Sequence, residues 1–280
     1  MTIVAHETVR SAKRALKRTG FWTPRAGNEI LLHITEPGAH LLEPKENDSI
    51  LIIIDENAET IILERGAGSY AIDIVAGPNA RVTYASETRS AASADRFAHL
   101  GDDASIRWVD VPGGERVTAN VTTYLGRGSD ARLASCFLGT DEQSNRINAV
   151  MIHAGDNSTS SMLTRGALLG SSSGAYDGLI RILPDARGCD AYQRGEFLIL
   201  SSDARMHAQP NLEIGNDAVK CSHGVSLSRV DEEQLFYFKA RGIQEGEAIT
   251  LIVEGFFAAI IDQLPDATAA RGRIASRIAR

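Results

Sequence analysis

Asn79-Ala-Arg-Val-Thr-Tyr84 and Asp103-Ala-Ser-Ile-Arg-Trp108 begin with the same unit, an Asn or Asp followed by Ala, a variable residue and an apolar residue. The unit returns at Asp130-Ala-Arg-Leu133, and Asn57-Ala58 is a shorter copy. The alanines at positions 58, 80, 104 and 131 are 22, 24 and 27 residues apart, a period that suits one supersecondary unit per repeat. Each unit joins a polar turn to a strand of alternating pattern, and no helical pattern intervenes.

This internal repeat decides between two all-β architectures. Short strands with frequent turns fit both a β-sandwich and a parallel β-helix. The repeat favours the β-helix, because stacked turns together bury the apolar surface that a single turn leaves exposed. We therefore predict an all-β core, a β-solenoid, over residues 29–230, between an N-terminal basic helix and linker (1–28) and a C-terminal helical segment (231–280).

The N-terminal residues predict a short amphipathic helix that ends near Gly20. Its polar face is basic, and its apolar stripe consists of small residues together with Leu16. A basic helix suits a membrane or nucleic-acid surface, or it packs over one end of the domain with its charges in solvent. The modest apolar stripe favours the packed helix.

The C-terminal segment predicts at least two helices. Asp231 is a good N-cap, Gln234 completes a capping box, and Gly242 stands at the expected end of the first helix. A second helix begins at about Glu245, carries a broad apolar stripe and stops before Pro265. The last fifteen residues fit either a third, basic helix or a disordered tail.

The composition excludes several classes of protein. The chain has 280 residues, 43% apolar and 23% charged, and its net charge of −7 argues against binding to nucleic acid. The longest aliphatic run, Ile50–Ile54, is too short to span a membrane, and the first twenty residues lack an apolar signal core. Three widely spaced cysteines do not form a disulfide framework. We therefore predict a cytoplasmic protein that binds neither membrane nor nucleic acid.

The best candidate for chemistry is the pair Cys221-x-His223. Side chains alternate along a strand, so the thiol and the imidazole share one face and form a soft metal-binding pair. Two ligands do not complete a metal site, and His207 and Cys189 are the nearest upstream candidates for further ligands. Simple packing of the cysteine is the alternative interpretation.

The segments Asn211–Gly224 and Asp231–Ile243 closely resemble the C-terminal signature of the SufB/SufD family, the scaffold proteins of Suf iron–sulfur cluster assembly. The resemblance implies a right-handed parallel β-helix. SufB carries Glu at the position of His223, and a cysteine shortly before the proline that matches Pro210. Here Ser201–Met206 contains no cysteine. The resemblance is therefore to the SufD branch, in a minimal form without the long N-terminal domain of many members.

That resemblance also implies a site and partners. A nascent, transient iron–sulfur cluster would form at a dimer interface with a SufB-type paralogue or a second copy, and His223 and Cys221 would contribute to it. A SufC-type ABC ATPase would dock on residues 231–263. The implied contact residues are Asp231, Glu232, Gln234, Phe236, Phe256 and Phe257.

We expect no catalysis and no ATP site in the chain itself, because Gly170-Ser-Ser-Ser-Gly174 lacks the lysine of a phosphate loop. Two alternative functions remain open. One is a β-solenoid carbohydrate-active enzyme that uses Glu213, Asp217 and Asp190, which the missing export signal makes the weaker choice. The other is a purely structural dimerisation protein, which would need neither Cys221 nor His223.

Overall fold

The computed structural model describes residues 6–22, 24, 27–87, 92–112, 116–230 and 232–278. The first strands in chain order are β1 Asn28–Ile34, β2 Gly38–Leu42, β3 Asp48–Ile54, β4 Glu59–Glu64, β5 Ser69–Ala76, β6 Arg81–Ser86, β7 Ala92–Leu100 and β8 Ser105–Asp110. They are followed by β9 Arg116–Leu125, β10 Asp130–Gly139, β11 Ser144–His153, β12 Thr159–Leu168, β13 Ser173–Ile182, β14 Asp190–Ile199, β15 Arg205–Ile214 and β16 Lys220–Arg229. The helices are α1 His6–Arg18, α2 Glu232–Ala240, α3 Glu245–Ile261 and α4 Ala267–Ile278.

Over the described residues these strands form two eight-stranded sheets. Odd-numbered strands succeed one another in sheet A, and even-numbered strands in sheet B. Each strand pairs in parallel with the strand two places along the chain, as β11 does with β9 and β13. The chain therefore winds once for each pair of strands. The predicted parallel β-helix, with an N-terminal helix and C-terminal helices, is confirmed.

The interior of the solenoid is filled by alternate side chains of both sheets. In β9 the buried positions are Val117, Ala119, Val121, Thr123 and Leu125, and the residues between them face outward. Strand period two dictates this division, and stacking of turns makes the inward positions one continuous apolar core. Inward and outward faces can therefore be assigned for every strand.

Left-handed residues mark the corner where sheet A passes to sheet B. Asn57, Asn79, Asp103 and Asn157 have φ values between 56° and 61°, and Gly128 has 66°. Asn, Asp and Gly tolerate this conformation best. The corners are joined by backbone hydrogen bonds from turn to turn; for example, the N–H of Asp103 donates to the carbonyl of Arg127 at 2.8 Å. The Asn/Asp of the sequence repeat therefore has a conformational cause.

At one turn the structural corner lies two residues before the position that the sequence motif marks. The N–H of Gly128 donates to the carbonyl of Asp156, just as Asp103 bonds to the residue before Gly128. Gly128-Ser129 is therefore the counterpart of Asp103-Ala104, whereas Asp130-Ala131 lies two residues further on, inside β10. Glycine reaches the same φ as Asn or Asp without preserving the letters of the motif.

A buried ion network crosses the interior in the earlier turns. Arg96 donates two hydrogen bonds to the Glu64 carboxylate, each at 2.6 Å, and its Nη1 lies 3.5 Å from Asp110. The hydroxyls of Tyr70 and Tyr84 also donate to Glu64. Burial raises the pKa of Glu64 while the Arg96 charge lowers it, and the net shift is downward. Burial raises the pKa of Asp110 against the opposing effect of Arg96.

The C-terminal helices cover the outer face of sheet B. Val253, Phe257 and Ile260 of α3 and Ile274 of α4 pack against outward side chains of the sheet such as Cys136. The last fifteen residues thus include a third helix, α4. At the other end of the chain, α1 packs against β5 and buries Ala12 and Leu16.

Candidate functional site

The last turn of the solenoid leaves two strand edges open. Strand β15 ends sheet A and β16 ends sheet B, so each has a neighbour on one side only among the described residues. Their inward side chains consequently have no further turn above them. Met206 and Leu212 of β15 and Val225 of β16 are only partly buried against the core.

His223 and Cys221 lie on the inward face of β16 at this open end. Cys221 and Val225 pack against the interior core, so the residue between them in the alternation, His223, shares their face. Cys221 is stacked over Ala191 and His223 over Gln193 of β14. His223 is exposed and Cys221 half-buried. The two candidate ligands are therefore accessible from the end of the solenoid.

The Cys221 thiol is not activated within the single chain. Burial, followed by the nearby Asp190 carboxylate, raises its pKa above the ordinary value. Cys189 is buried one turn below, where Lys220 N–H donates to its carbonyl at 2.9 Å. Binding as a thiolate would require a cation that reverses this shift.

Cys189 belongs to a buried polar group. Its Sγ lies 3.3 Å from Ser158 Oγ, and Ser158 in turn is 2.8 Å from Nδ1 of His153. Nε2 of His153 lies 2.8 Å from Ser160 Oγ. Burial lowers the pKa of His153 to about 4, so its imidazole is neutral at neutral pH. Cys189 is thus engaged beneath the open turn.

His207 does not join the pair. It lies on β15, in the other sheet, and is stacked over Ala175. Its neighbours Met206 and Ala208 pack against the interior, so His207 faces outward. In the part of the chain that the structure describes, no group of three or more His, Cys, Asp or Glu could hold a metal ion. Of the four candidate ligands predicted from the sequence, only Cys221 and His223 share a face at the open end.

A polar layer that the sequence pattern did not predict lies beneath His223. Gln193 and Thr164 are fully buried close to the buried Tyr176, and the Tyr176 hydroxyl, the Gln193 amide and the Thr164 hydroxyl have no hydrogen-bond partner among the described residues. Burial raises the pKa of Tyr176 to about 12. Polar residues at alternate strand positions were the available signal, but alternation alone does not say which face is internal.

The predicted partner-binding residues differ in exposure. Phe236 of α2 is 73% exposed, and its neighbour Tyr237 is also exposed. Phe256 of α3 is half-buried, whereas Phe257 is fully buried against sheet B and presents no surface to a partner. Asp231 lies outside the described residues, and so do the side chains of Glu232 and Gln234 in α2.

The carboxylates considered for carbohydrate chemistry are solvent-exposed. Asp190 and Asp217 lie at the surface, and Glu213 forms an ion pair with Arg181 on the outer face of sheet A. The hydrogen bond from Arg181 lowers the pKa of Glu213. A general acid requires a raised pKa, so Glu213 is not prepared for that role. Among the described helices, none has the length and apolarity to span a membrane.

The fold and the open end define a parallel β-helix protein with two candidate metal ligands on its last turn. Comparison with known proteins agrees with this class. Residues 40–256 match the family model described as SUF system FeS cluster assembly, SufBD core domain. The chain belongs to this SufBD family of iron–sulfur cluster assembly proteins.

Individual relatives give the same result. The iron–sulfur cluster assembly protein SufD of Bacillus subtilis is 29% identical over 233 residues, covering 81% of this chain and 53% of the relative. A SufBD family protein of Mycobacterium leprae is 35% identical over 227 residues, covering 74% and 57%. One of Mycobacterium tuberculosis is 33% identical over 232 residues, covering 75% and 58%. The chain thus spans just over half the length of these curated relatives.

Proposed function

We propose that this chain is a SufD-like scaffold subunit that helps to assemble iron–sulfur clusters in the cytoplasm. The carrying observation is the position of His223, exposed on the inward face of an open last turn beside Cys221. An imidazole nitrogen is a good ligand for iron, and the thiol is a second candidate. The cluster is the cargo of this site, and a second chain supplies the remaining ligands.

The open edges support a dimer interface at the same place. The outer edges of β15 and β16 carry backbone donors and acceptors that no strand pairs over the described residues. Leu227, Ile214 and Tyr192 add exposed apolar surface near this end. Strand addition would satisfy the backbone groups and cover these side chains. The partner we propose is a SufB-type paralogue or a second copy of this chain.

Substitution of His223 tests the site, and the chain offers a matched control. His207→Ala removes an exposed histidine from the outward face of the neighbouring edge strand. We expect His223→Ala to lower cluster yield by roughly tenfold or more while leaving fold and dimer intact. His207→Ala should behave as wild type, and Cys221→Ser should have the smaller effect of the two ligand changes.

The measurement is anaerobic reconstitution with iron, a sulfide source and SufB-type and SufC-type partners, followed by absorption spectroscopy and iron quantification. Wild-type cluster yield from a folded His223→Ala protein would contradict the site. That outcome would instead favour the purely structural dimerisation protein. The three carboxylates are exposed and one is paired with Arg181, and this arrangement gives no observation in favour of the carbohydrate-active alternative.

We further propose that α2 and the adjoining part of α3 bind a SufC-type ABC ATPase. Phe236 and Tyr237 expose aromatic rings at two successive positions of α2, and Arg241 lies over the Tyr237 ring at 4.2 Å from its centroid. Aromatic and arginine side chains are the residues most often dominant in protein interfaces. Deleting residues 244–280 would uncover sheet B, so a point substitution is the cleaner test.

Phe236→Ser should weaken ATPase binding by about 2 kcal/mol, roughly thirtyfold in Kd, with unchanged thermal stability. The control is Leu41→Ser, since Leu41 is exposed on β2 in the first turns of the solenoid. Titration calorimetry with the purified ATPase would compare the two variants. Equal affinities would place the docking surface elsewhere.

A further inference from the structure

Arg165 adds a polar contact between helix α3 and sheet B to the apolar packing of the two. Its Nη1 donates a hydrogen bond to the carbonyl of Phe256 at 2.5 Å, and its Nε donates to Glu196 at 2.7 Å. The guanidinium also lies over the Phe256 ring, 5.1 Å from the centroid. One side chain therefore contacts the backbone and the aromatic ring of α3 as well as a strand of the sheet.

This contact is shielded from solvent. The side chains of Arg165 and Glu196 are 20% and 12% exposed. Arg194 lies 2.5 Å from the second Glu196 oxygen. Hydrogen bonds between ionised groups are stronger than neutral ones, and partial burial reduces their screening by solvent. The network consequently holds α3 more firmly than a surface ion pair would.

The network ends directly beneath the strand that carries His223. Arg165 of β12 is stacked below Glu196 of β14, and Glu196 below Ser226 of β16. Arg194 is stacked below Gly224, the residue after His223. A continuous series of contacts thus runs from the backbone of α3 to the strand that supports the open edge.

We infer that Arg165 is a positioning residue that couples occupancy of the α2/α3 surface to the stability of edge strand β16. This inference rests on the proposed docking of an ATPase at that surface. The partner restrains α3, Arg165 transfers the restraint to Glu196, and β14 then holds β16 more firmly. Because coupling is reciprocal, a chain paired with β16 tightens partner binding by the same factor.

A guanidinium is required for this role. Arg165 uses separate nitrogens for the Phe256 carbonyl and the Glu196 carboxylate. A lysine ammonium keeps the charge but lacks the planar, forked arrangement of donors. Arg165→Lys should therefore preserve the fold and lose the coupling.

The test is amide hydrogen exchange of residues 220–229, with and without saturating ATPase. In wild-type protein we expect the ATPase to slow exchange of this strand by about tenfold, equivalent to 1.4 kcal/mol. In Arg165→Lys the slowing should disappear although the ATPase still binds. The matched control is Arg277→Gln, which removes a different helix-to-sheet contact, from α4 to the Leu138 carbonyl at 2.5 Å.

The outcomes separate this inference from the proposed function. Loss of slowing in Arg165→Lys together with its retention in Arg277→Gln supports the coupling. Three outcomes overturn the coupling and leave the docking proposal standing. The ATPase slows amide exchange of residues 220–229 in Arg165→Lys as it does in wild type, or it slows exchange in neither, or the slowing is lost in both Arg165→Lys and Arg277→Gln. Failure of the ATPase to bind wild-type protein overturns both.

Discussion

Replacement of Arg96 by Met should destabilise the early turns of the solenoid severely. The guanidinium is 1% exposed, forms an ion pair with the fully buried Glu64 and lies 3.5 Å from the buried Asp110. Its removal leaves two buried carboxylates without a cation, a change that typically costs about 3–5 kcal/mol. Two tyrosine hydroxyls still donate to Glu64, so we expect about 3 kcal/mol, near the lower limit of that range.

The triple variant Glu64→Gln, Arg96→Met, Asp110→Asn is the control for this prediction. It removes the two carboxylates together with the guanidinium. Replacing a whole buried ion network in this way often changes the free energy of unfolding very little. It should therefore recover most of the lost stability. Urea unfolding followed by circular dichroism gives the free energies of unfolding. In the Arg96→Met protein, hydrogen exchange should show opening of β4–β8 while β13–β16 remain protected. The effect is local because each turn of a solenoid contacts mainly its neighbours. A single variant within about 1 kcal/mol of wild type, or no recovery in the triple variant, would refute this account.

Three further predictions concern the turns beneath the open edge and helix α3. The pKa of His153 is lowered to about 4 by burial, so stability should fall by about 1.4 kcal/mol per pH unit as the pH drops from the unfolded value near 6.5 towards 4. His153→Gln should flatten that acid limb in chemical denaturation curves, and an unchanged slope would exclude His153 as its cause. Gly155→Ala should cost about 1–3 kcal/mol, because the added Cβ would lie 2.1 Å from the backbone nitrogen of Arg127. Gly255→Ala in α3 meets nothing within 4 Å and should instead stabilise by up to about 1 kcal/mol in thermal melts; the reverse order would contradict the packing described.

The fold could be predicted from the sequence because every turn requires the same local backbone conformation. A left-handed corner followed by a small buried residue selects Asn or Asp before Ala, as at Asn79 and Asp103. The motif placed a corner wrongly at Asp130, because at this turn Gly128 adopts the left-handed conformation in place of an Asn or Asp. Sequence letters thus report a conformation only where few residues can adopt it.

The site was readable only in part. Strand alternation correctly placed Cys221 and His223 on one face, but the openness of that face depends on the final turn, which no local pattern encodes. His207 was beyond prediction for the same reason, because its sheet and face follow from the winding. Phe257 belonged to a stripe too broad for one neighbour, and only the packed helix shows that it is the buried member.

The attachment of the C-terminal helices to the middle of sheet B bears on how the protein is made. Helices α3 and α4 rest on strands such as β10 that leave the ribosome more than a hundred residues earlier, whereas β15 and β16 emerge immediately before the helices. The helices therefore cover a surface that is synthesised early, while the strand edges synthesised last have no paired strand among the described residues. An unpaired strand edge is a template for aggregation, so we expect the chain synthesised without the partner proposed above to accumulate as insoluble material. Joint synthesis with the proposed partner would protect that edge from the start.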